Sequence, residues 1–149
     1  MSDLSELYQE ILLEHNSKPR NFRKLDQPTQ TAEGYNPLCG DRITLYLSLE
    51  DNLISDVSFQ GSGCAISRAS ASMLTQSIKG QTVARAQEIF EAFHHMLTEP
   101  GAELDYDVLG DLETLSGVVA FPTRIKCAVL AWHTMQAALD GQGDAVTTE

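Results

Sequence analysis

The chain has 149 residues, 42% of them hydrophobic, which suffices for one domain that buries most of its apolar surface without disulfide staples. A net charge of −11 argues against phosphate backbones and anionic lipid as partners and favours a partner with a basic surface. No apolar run approaches the roughly 20 residues that cross a bilayer, and the first residues carry neither the basic region nor the apolar stretch of a signal peptide. The expectation is a cytoplasmic protein whose three cysteines, odd in number and far apart, stay reduced.

Residues 3–16 place Leu4, Leu7, Tyr8, Ile11 and Leu12 on one helical stripe, which Lys18-Pro19 ends. The basic residues Lys18, Arg20, Arg23 and Lys24 follow as a solvated loop. From Gln27 to Cys39 turn formers dominate (Pro28, Gly34, Asn36, Pro37), with a short extended piece around 31–35. Ile43, Leu45, Leu47 and Leu49 then alternate with polar residues as a half-buried strand, and Glu50-Asp51-Asn52 turns it into a second strand at 53–60. The ends of an antiparallel pair lie side by side. Cys39 and Asp41, before one strand, therefore converge with Cys64, just past its neighbour, at one sheet edge.

Gly61-Ser62-Gly63-Cys64 leads into a helix whose apolar positions are Ile66, Ala69, Met73 and Leu74 and which stops near Lys79-Gly80. At a helix start the unpaired N–H groups and the positive dipole end favour a thiolate. The glycines allow the backbone to approach whatever that thiolate holds; the alternative is a small buried hydrophobe at a tight turn. Another helical stripe follows (Val83, Ala86, Ile89, Phe90, Phe93, Leu97), on which the adjacent His94 and His95 point to different faces and read as surface residues. Residues 102–117 read as an acidic loop and a short helix (Leu109, Leu112, Leu115). After Phe121-Pro122, Thr123 is the predicted N-cap of the last helix, with Ile125, Ala128, Val129, Trp132 and Met135 as its core stripe. Cys127 lies in its first turns, off the centre of that stripe, with Arg124 and Lys126 beside it, an electropositive setting like that of Cys64. The domain spans 1–139, and residues 140–149 are expected to be disordered.

Three thiols and a carboxylate suit tetrahedral zinc or another thiophilic ion. No local C-x-x-C pair is present, so spacing alone leaves a shared site and three unrelated thiols both open. The segments Asn36-Pro-Leu-Cys39-Gly-Asp41, Gly61-Ser-Gly-Cys64-Ala-Ile-Ser67 with Ala69-Ser-Ala-Ser72, and Arg124-Ile-Lys-Cys127-Ala-Val-Leu-Ala-Trp132 closely resemble the iron–sulfur cluster assembly proteins of the IscU/NifU N-terminal family over nearly the whole chain. That resemblance implies an α+β fold, a small antiparallel sheet of about three strands covered by helices, with Cys39, Asp41, Cys64 and Cys127 around one surface site. Where the cluster-scaffold branch has a histidine before its third cysteine, this chain has Lys126. Where that branch has a Leu-Pro-Pro-Val-Lys segment for a chaperone, it has Val119-Ala-Phe-Pro-Thr123, and the stretch through 99–117 is longer. These features resemble the SufU branch, which binds zinc and accepts persulfide sulfur from a cysteine desulfurase (SufS-like).

Cys39 is the expected sulfur acceptor, because its Gly- and Pro-flanked loop can move off a metal more readily than Cys64 or Cys127 on their helices; Asp41 is the expected exchangeable ligand, and Arg124 and Lys126 are expected to stabilise thiolate or persulfide charge. The partners implied are the desulfurase and the iron–sulfur assembly machinery. The other implied role is a scaffold carrying a [2Fe–2S] cluster on Cys39, Cys64 and Cys127, and a structural zinc domain acting only as an interaction module is the blandest reading.

Overall fold

The computed structural model describes residues 3–99, 101, 103–141 and 145–148, and side chains from Glu6 onward. Leu4 of the first stripe, Pro100, and residues 142–144 and 149 of the tail thus lie outside what is described at side-chain level. In chain order the elements are α1 (Asp3–Ser17), β1 (Gln30–Asn36), β2 (Asp41–Glu50), β3 (Leu53–Ser62), α2 (Ala65–Ile78), α3 (Val83–Thr98), α4 (Tyr106–Leu109), a 3-10 segment (Gly110–Ala120), α5 (Pro122–Leu139) and β4 (Val146–Thr147). The fold is α+β.

Among the described residues the sheet has four strands in the order β3-β2-β1-β4, one more than expected, and it is mixed. β1, β2 and β3 pair antiparallel, while β4 runs parallel to β1, with Gly34 opposite Val146 and Tyr35 opposite Thr147. The extended piece expected at 31–35 is thus a full strand, and two residues of the stretch expected to lack structure form its outer neighbour. Alternation is clean in β1, whereas β2 and β3 also bury Tyr46 and Ser58 on the opposite phase. Ala32, Gly34 and Asn36 of β1 are buried, and so are Asp41, Ile43, Leu45 and Leu47 of β2. The pleat sends every second residue to one face, so Asp41 enters the core side in phase with three aliphatic residues.

α2 and α5 cover that face. The run Ala69-Ser70-Ala71-Ser72 presents only small, buried side chains, which lets the two helices approach closely. Ser70 Oγ donates to the carbonyl of Ala128 (2.5 Å) and accepts from the indole N–H of Trp132 (3.2 Å). Trp132 is fully buried, 5.1 Å in ring-centroid separation from Phe93 of α3. α1, α3 and the 3-10 segment form the outer layer, the last burying Leu112, Leu115 and Val118. The free edge of β3 is blunted by the loop after α1, where the carbonyl of Asn21 accepts from Phe59 N–H (3.0 Å) and Phe22 stacks on Phe59.

Two local expectations change. α5 starts at Pro122, with Phe121 in the N-cap position and no side-chain cap, rather than at a Thr123 cap. Proline is well suited to a first helical position because its missing N–H has no intrahelical partner there. The segment expected as a loop and short helix is one turn of α-helix followed by 3-10 structure through Ala120. No described helix is long and apolar enough to cross a membrane.

Candidate metal and sulfur site

Asn36, the last residue of β1, pairs with Asp41, the first of β2, so 37–40 form a short hairpin loop. Gly40 closes it with φ of 71°, a left-handed conformation that a side chain disfavours. Cys39 sits on this loop, half-buried, beside the exposed Leu38. Asp41 is fully buried, and its carboxylate is held on two sides: Oδ1 accepts from the backbone N–H of Cys64 (2.8 Å), and Oδ2 accepts from Asn36 Nδ2 (3.0 Å). The first of these bonds depends on Gly63, where an added Cβ would stand 2.5 Å from Asp41 Oδ1. What the glycines before Cys64 allow is this approach of backbone to carboxylate.

Cys64 is the N-cap of α2, its sulfur accepting from Ser67 N–H (3.5 Å) and lying 4.0 Å from Asp41 Oδ2. Cys127, in the second turn of α5, is fully buried rather than at the margin of the core. Its sulfur lies 3.2 Å from Cys39 Sγ and 3.5 Å from Asn36 Nδ2. All three cysteines are free thiols. The ligand atoms of Cys39, Asp41 and Cys127 fall within 4.8 Å of one another, and Cys64 adjoins them through Asp41. Tetrahedral zinc with sulfur at about 2.3 Å sets its sulfur ligands about 3.8 Å apart, so the cluster has the right scale and the right donors for a thiophilic cation.

Charge points the same way. Burial pushes the Cys127 thiol well above its ordinary range, and contacts with Cys39, Asp41 and Cys64 push it further. Crowded acids of this kind do not ionise together without a cation among them. Arg124, exposed at the start of α5, is held more firmly protonated by Cys64 first, then by Cys127 and Cys39. Lys126 lines an open cavity between α5 and β4 with Val129, His133, Ala137 and residues 145–148.

Asn36, a turn former by residue type, bridges the site. Its amide donates to Asp41 and Cys127 at once while its oxygen accepts from Thr148 Oγ1 (2.8 Å). A signal existed, because Asn36 is in phase with the inward Ala32 and Gly34, and a polar residue on a buried face needs partners. Thr148 had no comparable signal in a polar tail. His94 and His95 are exposed as expected, and His94 lies edge-on to Phe90 and His133, away from the thiols.

Residues 7–128 match the NifU-like N terminal domain. The chain belongs to this family. Relatives of the NifU-like family include the zinc-dependent sulfurtransferase SufU of Bacillus subtilis, 41% identical over 91% of this chain and 90% of the relative. The iron–sulfur cluster assembly scaffold protein IscU of Thermotoga maritima is 38% identical over 89% and 92%. The crystal structure of SufU from Fervidobacterium islandicum AW-1 superposes with a TM-score of 0.83 at 34% identity, covering 90% of this chain and 97% of that one. The three strands expected from sequence and the fourth found here belong to one NifU-like architecture.

Proposed function

We propose that this protein serves iron–sulfur cluster assembly as a zinc-bound sulfur acceptor, taking sulfane sulfur from a cysteine desulfurase and passing it on to the assembly machinery. The observation that carries the reading is the joining of three free thiols to the buried Asp41, with Cys39 alone on a loop. The similarity to the B. subtilis sulfurtransferase along nearly the full length supports it. Cys39, Asp41, Cys64 and Cys127 would hold zinc, which when bound keeps its thiol ligands deprotonated near neutral pH.

The remaining chemistry belongs to the chain. Cys39 Sγ attacks the outer sulfur of the donor's persulfide. The new S–S bond gives Cys39 the persulfide, the donor's S–S bond breaks, and the donor cysteine leaves as a thiolate. Arg124 offsets negative charge on the sulfurs. Asn36 and the Cys64 N–H hold Asp41 in place, so the carboxylate remains oriented while Cys39 moves. Leu38 and Phe121, both about 60% exposed, present an apolar rim beside Cys39 and the start of α5 for the partner to cover. The acidic chain favours a basic partner surface around that rim, and the cytoplasm is the compartment proposed.

The same three cysteines also suit a scaffold reading, a [2Fe–2S] cluster built on Cys39, Cys64 and Cys127, which similarity to the T. maritima IscU favours. Lys126 before Cys127, and Phe121-Pro122 ahead of it, favour the acceptor. Incubation with a cysteine desulfurase and cysteine, followed by mass spectrometry, separates the readings. A persulfide on Cys39, abolished in Cys39→Ser, is the expected result. A visible chromophore in anaerobically purified protein would make the scaffold the primary role, and zinc-loaded protein with no sulfur on any cysteine would leave a structural module.

A further inference from the structure

We infer that Thr148, in the C-terminal tail, is a positioning residue of the thiol site, acting through the side-chain amide of Asn36. Pairing of β4 with β1 places residues 146 and 147 opposite 34 and 35, and the N–H of Thr148 then donates to the carbonyl of Tyr35 (3.1 Å). This register sets Thr148 Oγ1 2.8 Å from Asn36 Oδ1. Asn36 is fully buried, so without that hydroxyl its amide oxygen would have to find another donor or remain unsatisfied. With the hydroxyl donating to the oxygen, the NH2 end is directed at Asp41 Oδ2 (3.0 Å) and Cys127 Sγ (3.5 Å). A flipped amide would set its oxygen against a carboxylate oxygen.

One hydrogen-bond chain therefore runs from the tail to two of the four residues at the site. β4 is only two residues long and sits at the sheet edge, so the outermost link of the chain rests on the shortest element of the fold. The effect on the amide follows from the protein's own contacts, whereas the effect on metal retention rests on the zinc reading above.

The test uses the full chain and four variants, of which Thr148→Val, Asn36→Ala and their double variant form a cycle. In reduced, metal-free protein, Thr148→Val should shift the Asn36 side-chain N–H resonances and speed their exchange, and Thr148→Ser should restore them. In zinc-loaded protein, Thr148→Val should release metal to a chromogenic chelator about 10-fold faster, the lower end of what loss of an outer hydrogen-bond partner costs a metal site, again with rescue by serine. In an Asn36→Ala background Thr148→Val should add nothing. Unchanged Asn36 resonances in Thr148→Val, or fully additive effects on metal release, would overturn the inference. So would loss of protection at the residue 148 amide, because the effect would then belong to the strand and not to the hydroxyl. Wild type that binds no zinc, while the Asn36 resonances still respond, retires the zinc reading and leaves the positioning role standing.

Discussion

Gly63 stands where the backbone before α2 meets the Asp41 carboxylate, and the room there is already used. A methyl group at this position would lie 2.5 Å from Asp41 Oδ1 and 3.2 Å from Asp41 Cα, neither of which can yield without breaking the bond to Cys64 N–H or shifting β2. Gly63→Ala is expected to cost about 1–3 kcal/mol, the usual range for overpacking a tight site, and to weaken metal retention. Gly117→Ala makes the natural control, since nothing lies within 4 Å of its added Cβ. Denaturant unfolding of the two variants checks the difference, and equal stabilities would mean that the carboxylate moves aside freely. The same crowding holds Asp41 in place: its backbone belongs to the core strand, and its oxygens accept from the Cys64 N–H and the Asn36 amide.

At the scale of elements, α1 is joined to α2 by one buried polar contact. His15 Nδ1 lies 2.7 Å from Ser72 Oγ, and that oxygen also accepts from Arg20 N–H (2.7 Å). Burial, helped by the charge of Arg20 and opposed by Asp111 and Glu14, lowers the His15 pKa below its ordinary 6.5. A base with a depressed native pKa binds fewer protons when folded than when unfolded. Its stabilising contribution is therefore complete above pH 6.5 and is lost as pH falls through that value toward the native pKa. The melting temperature of wild type should drop between pH 7.5 and 5.5 (values on either side of about 6.5) more steeply than that of His15→Gln. Coincident slopes would assign the acid sensitivity to other groups. Thr148 and β4 act at this scale too, by tying the tail to the end of β1 at the site.

For the molecule as a whole, the site closes contacts among parts of the chain far apart in sequence: the β1–β2 loop, the start of α2 and the start of α5. A cation held there is linked to folding because the unfolded chain does not assemble the same ligands. At free zinc 100 times the dissociation constant the native state gains about 2.7 kcal/mol, worth roughly 5–10 °C in melting temperature for a domain of this size. Chelation of purified protein should reverse that shift, and Cys64→Ala should abolish the response to zinc. A melting temperature indifferent to chelator would separate the thiol cluster from any resident metal.

Period-two alternation in β2, the glycines before Cys64 and the helical stripes of α2, α3 and α5 are local properties, and they determined the hairpin, the start of α2 at Cys64 and the meeting of Cys39, Asp41 and Cys64 at one edge, while the start of α5 was set by Pro122. The three cysteine-centred segments, read together as a resemblance, determined the family. Tertiary structure decided the rest. Hydrophobic pattern does not report what a polar side chain on a buried face will meet, so the amide bridge of Asn36 appears only when β1, β2 and α5 are assembled. The packing of α5 against the sheet brought Arg124 within the influence of the sulfurs and set Lys126 in the cavity toward β4. Val146 and Thr147 carry too little apolar surface to be recognised as a strand, and their structure comes from backbone hydrogen bonding to an edge that the rest of the fold provides.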